Sequence, residues 1–72
     1  MSDYRVTVKS KTGEILAMEM FTSDGDAEVY MTELLKDEDK ILEALDDKVV
    51  TVAKEELYKG TWVVLNKKLV RI

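Results

Sequence analysis

The chain contains no cysteine and no histidine. Without cysteine there is neither a disulfide nor a thiolate metal site, so 72 residues must fold without a covalent staple. Without histidine the commonest metal ligand and the commonest general base are both missing. Glycine is scarce, and Gly13, Gly25 and Gly60 lie too far apart to form a phosphate-cradling loop. No apolar run exceeds four residues, Trp62 to Leu65 being one, so no segment has the length of a membrane-spanning helix. The opening "MSDYRV" has neither the positive start nor the apolar stretch of a signal peptide. These absences predict one cytoplasmic domain over residues 1–72 with no cofactor and no bound metal. Stability must come from a small, well-packed core or from apolar surface buried in an oligomer.

They also argue against an enzyme. With no His and no Cys, catalysis would fall to hydroxyls, lysines or carboxylates, and no G-x-S-x-G, S-x-x-K or H-E-x-x-H pattern is present. Asp24, Asp26 and Glu28 occupy the first, third and fifth places of a possible Ca²⁺ loop. That loop needs Gly at its sixth place and Glu at its twelfth, where Val29 and Leu35 stand.

What is present is a clear change of period along the chain. "YRVTVK" alternates, with Tyr4, Val6 and Val8 on one side and Arg5, Thr7 and Lys9 on the other, as a half-buried strand does. "SKTGE" turns the chain, Gly13 supplying a left-handed conformation, and "ILAMEMF" returns. A β-hairpin over 4–21 is predicted. Ser23, or Thr22 or Asp24, then offers an N-cap, Ser23 having Asp26 three residues on, and Ala27, Tyr30, Met31, Leu34 and Leu35 recur at helical spacing. A helix over about 25–36 follows. Glu38 interrupts the apolar line, and Asp37 or Asp39 can cap a second helix carrying Ile41, Leu42 and Leu45. Two helices with a break near 37–39 are expected, one bent helix over 25–46 being the alternative. From Val49 the period returns to two. "YKG" and Asn66-Lys67 are read as turns, and "KLVRI" as a short last strand. The order ββα(α)βββ predicts an α+β domain, an antiparallel sheet (4–21 and about 49–72) covered on one face by helices within 24–46.

Charge is distributed unevenly. The net charge is −4, yet residues 19–47 hold eleven acids against two bases, a local −9. "KDEDKILEALDDK" alone (36–48) holds six carboxylates. Asp39, Glu43 and Asp47 are four apart, and a helical column of like charges costs roughly 0.2–0.5 kcal/mol per pair. Asp46 and Asp47 also stand where a helix dipole favours cations. A locally unfavourable choice of this kind points to a use elsewhere. The candidate partner-binding residues are therefore Asp37, Glu38, Asp39, Glu43, Asp46 and Asp47, with Asp24, Asp26 and Glu28 at the start of the first helix.

The segment 24–47, "DGDAEVYMTELLKDEDKILEALDD", set in a small acidic chain without His, Cys or Pro, resembles in type the host-takeover proteins and DNA mimics of bacteriophages. That resemblance implies a stoichiometric inhibitor. Its carboxylates would stand where phosphates lie, in the basic groove of a nucleic-acid-binding host protein such as a nucleoid-associated protein or a polymerase. Two other functions compete with it. One is a structural module that assembles through its sheet. Trp62, Val63, Val64 and Leu65 point apolar groups to both faces of a strand, and helices on one face leave the other in need of a cover, so a homodimer is expected. The other is weak single-strand binding by Lys54, Lys59, Lys67, Lys68 and Arg71 near Tyr58 and Trp62. Direct nucleic-acid binding is disfavoured by the net negative charge.

Overall fold

Alternation at the start of the chain becomes a hairpin. In the computed structural model, which describes residues 3–71, strand β1 (Tyr4–Ser10) pairs antiparallel with β2 (Ile15–Phe21). Gly13 takes a φ of +90° in the loop between them, and its N–H donates to the Ser10 carbonyl at 3.0 Å. Two helices follow, α1 (Asp24–Leu34) and α2 (Glu38–Leu45), and then β3 (Val49–Tyr58) and β4 (Thr61–Arg71). The sheet order is β2-β1-β3-β4 with every neighbour antiparallel. This is the expected α+β architecture, with two helices in place of one bent one.

The last third of the chain differs from the sequence reading. Asn66-Lys67 makes no turn; both residues lie inside β4, which pairs with β3 from Thr61 to Arg71. The period is interrupted there because the register shifts between Lys54 and Glu55, leaving Leu65 as an extra residue in a β-bulge. A bulge and a turn both break alternation, and only long-range pairing tells them apart. The turn that does form is Lys59-Gly60, both at positive φ (50° and 79°), as a two-residue hairpin loop requires. Ile72, included in the expected last strand, lies outside the described residues.

Both helices pack on one face of the sheet. The core joins Val6 and Val8 of β1, Val50 and Val52 of β3 and Val70 of β4 to Ala27 and Met31 of α1 and Ile41 and Leu42 of α2. Tyr30, expected inside, is more than a third exposed, its ring 5.2 Å from that of Phe21. Among the described residues, no helix is long and apolar enough to cross a membrane.

Candidate functional site

The acidic residues divide into those that build the helices and those left at the surface. Ser23 caps α1, its Oγ accepting the Asp26 N–H at 3.2 Å. Asp37 caps α2, its Oδ1 accepting the Lys40 N–H at 3.1 Å. The chain therefore breaks at 35–37 because a new cap begins there. Asp24 and Glu28, one turn apart on α1, both receive the Lys54 ammonium, at 2.8 and 2.7 Å. Hydrogen bonds to Asp24 and Glu28 hold that ammonium above its ordinary value of 10.5, against the opposing effect of burial. Glu38 takes Lys68 at 2.9 Å. Of the nine predicted site residues, Asp24, Glu28 and Glu38 thus tie helices to the sheet. Asp37 shapes a helix end, and Asp26 is exposed in the first turn of α1.

The other four come together. Asp39, Glu43, Asp46 and Asp47 line one surface depression of about 430 Å³, with Leu42 and Lys48 completing it. Among the described residues, no ion pair engages any of the four acids. Their arrangement is not the continuous helical column that spacing suggested. α2 ends at Leu45, Asp46 turns left-handed at φ 51°, and the Asp46 and Asp47 N–H groups donate to the Glu43 and Leu42 carbonyls at 3.2 and 3.1 Å. This is a Schellman ending with aspartate where glycine is usual. Asp47 has left the helix, and its Oδ1 accepts the Lys48 N–H at 2.7 Å. Of the 39, 43 and 47 column, only Asp39 and Glu43 remain an i,i+4 pair of like charge within α2. Among the described residues, no group of three or more Asp or Glu is placed to hold a metal ion.

Asp46 is therefore unfavourable twice, in its backbone conformation and in its charge at the negative end of the helix. Replacing it by glycine is expected to stabilise the fold by about 1 kcal/mol, the sum of those two small terms. A urea melt of Asp46→Gly checks this; a lower midpoint would mean that the carboxylate makes a favourable contact.

A second charged centre, which sequence reading missed, lies on β3. Lys54 and Glu55 are neighbours in the chain, point through opposite faces of the sheet, and are each buried between two groups of opposite charge. Lys54 faces the helices. Glu55, 1% exposed, sits on the face away from them, with Oε1 2.5 Å from Arg5 Nε and Oε2 2.6 Å from Lys9 Nζ. Arg5 also lies 4.2 Å above the centre of the Trp62 ring, and its Nη1 is 3.7 Å from Met18 Sδ. Burial pushes the Glu55 carboxyl up, but hydrogen bonds from Lys9 and Arg5 more than offset this and hold it below its ordinary value. The signal in the sequence was the polar alternation of Arg5, Thr7 and Lys9. It awaited an acid on a strand some fifty residues away.

The cationic C-terminal set is dispersed by the same geometry. Lys54 and Lys68 face the helices and are paired with acids, whereas Lys67 and Arg71 stand on the opposite face with Trp62. Comparison with protein-family models, with curated proteins and with solved structures finds no match to this chain.

Proposed function

We propose that this protein is a non-enzymatic binding protein that presents the end of α2 to a basic surface of another protein, as a DNA mimic does. The observation that carries the reading is the sorting of the acids. The lysines nearest the helices neutralise Asp24, Glu28, Glu33 and Glu38, while Asp39, Glu43, Asp46 and Asp47 have no ion pair among the described residues and surround one depression. Four carboxylates between residues 39 and 47 create a local negative field that a lysine- or arginine-lined groove would meet. Such fields act chiefly on encounter rate and partner choice, and they weaken as salt screens them. Leu42, which also lines the depression, is buried in the core and anchors the helix end that carries the charge. The phage-type inhibitor is the biological setting that fits this chemistry best, its target a nucleic-acid-binding protein.

The test is retention of basic proteins from a bacterial lysate on the immobilised chain, eluted with rising salt, beside the triple variant Asp39→Asn, Glu43→Gln, Asp47→Asn. The variant should keep its fold. The amide introduced at position 47 can still accept the Lys48 N–H through its carbonyl oxygen, and loss of the Asp39–Glu43 repulsion adds roughly 0.2–0.5 kcal/mol. Its affinity for the retained protein should fall at least about tenfold, and the salt dependence should flatten. Identical retention by both forms would leave the acids as a solvated surface and remove the reading.

A further inference from the structure

The face of the sheet away from the helices is apolar around a charge centre that satisfies itself. Ile15, Met18 and Met20 of β2 and Val64 and Leu69 of β4 are each 43–56% exposed, with half-buried Trp62 beside them. Between the β2 margin and the β4 margin, where Lys67 and Arg71 alternate with the apolar residues, Arg5 and Lys9 lie down across the sheet onto Glu55 instead of reaching into solvent. Covering this face would strand no carboxylate, because both Glu55 oxygens already hold partners. A cover that breaks no polar contact is what a stable interface needs at its centre.

We infer that the occupant of this face is a second copy of the chain, giving a dimer in which two sheets stack and the helices lie outside. The area is sufficient. Four strands spaced about 4.8 Å apart, averaging about nine residues of roughly 3.4 Å, give about 600 Å² before side-chain relief is counted. Stable interfaces bury roughly 600–1,000 Å² per partner. The charge along the strands selects the arrangement. Lys9, Lys11 and Arg71 lie toward the end of the strands opposite the Lys59-Gly60 turn, Lys67 lies at mid-strand, and Asp3 lies near the turn end. A two-fold axis running across the strands places each basic end over the other copy's turn end. An axis along the strands would bring the two basic ends together. The dimer displays two acidic α2 ends on its outer surfaces, so it engages a dimeric or repeating basic partner with both at once.

Sedimentation equilibrium over a wide concentration range, at low and high salt, tests this on the wild type and on Met18→Lys with Leu69→Lys. Emission from Trp62, the sole tryptophan, gives a second readout on the same face. The expected result is a species of about twice the 8.2 kDa chain mass. It should persist at high salt, with Trp62 emission shifted to the blue as dimer forms. The double variant should raise the dissociation constant by about a hundredfold with an unchanged circular dichroism spectrum. If that variant unfolds, the milder Met18→Gln with Leu69→Thr should still weaken the dimer about tenfold. A wild-type monomer at millimolar concentration overturns the proposal, and so does a dimer indifferent to both folded variants. Dissociation by salt, or by the Asp39, Glu43 and Asp47 triple variant, would mean head-to-tail contact between acidic and basic ends. A monomer whose Trp62 emission is quenched by an oligodeoxythymidylate would assign the face to single-stranded nucleic acid. Each of these outcomes also overturns it.

Discussion

Replacing Glu55 by alanine should destabilise the fold by about 3 kcal/mol, because it leaves two cations on the sheet without their shared anion. Removing one partner of a buried ion pair costs roughly 3–5 kcal/mol. The lower end applies here, since the Arg5 and Lys9 side chains keep 14% and 25% of their exposure and can turn partly toward water. A domain of this length has a total stability of roughly 4–11 kcal/mol, so the variant approaches the folding limit. The same group sets an acid limb. Its folded pKa lies below its ordinary value of 4.5, so its contribution is fully present above that value and is lost as pH falls through the folded pKa. Unfolding free energy measured by urea from pH 7 downward, at one protein concentration, should drop below about pH 4.5, and Glu55→Gln should flatten that drop. An acid limb of the same depth in the variant would assign it to other carboxylates. Lys54 acts in the opposite direction. Its raised pKa gives stability that is present below 10.5 and lost as pH rises through the folded value.

Truncating Leu42 to alanine should cost about 3 kcal/mol, within the roughly 2–5 kcal/mol range for emptying a buried leucine site. The more informative result is where the loss appears. α1 is held by Ala27 and Met31 in the core and by the double ion pair to Lys54. α2 has Ile41 and Leu42 inside and a single, exposed ion pair from Glu38 to Lys68. Without Leu42, α2 should open before the sheet does. Native-state hydrogen exchange should then show lost protection across 41–47 while β1 and β3 keep theirs. Uniform loss across the chain would mean that α2 and the sheet unfold as one unit. Either way, the acidic surface depends on one apolar side chain beneath it, so binding should fall in Leu42→Ala without any change of charge.

Much of the fold was legible because its signals are local. Ser23 and Asp37 announce the two helices through bonds that span three residues, and the alternation of Tyr4, Val6 and Val8 marks the buried side of β1 without reference to anything distant. What stayed hidden depends on pairing across the chain. Asn66 reads as a turn until β3 is placed beside it, and Glu55 reads as a solvent-side charge until Arg5 and Lys9 are laid across two strands. The candidate site was half legible. The crowding of carboxylates near α2 is plain in the sequence. That Asp24, Glu28 and Glu38 would be bound by lysines of β3 and β4 is not, since each partner lies at least 26 residues away.

The bulge at Leu65 also bears on whether further strands can add to this edge of the sheet. β4 is an outer strand with an unbroken apolar stretch from Trp62 to Leu65, the kind of edge onto which further strands add to form fibres. The extra residue twists that edge away from the flat geometry such growth requires, and Lys67 and Lys68 follow it after Asn66. On the far side, the β1–β2 ladder has its own irregularity between Val8 and Lys9. Both margins are thus irregular as templates, which disfavours the sideways addition of further strands.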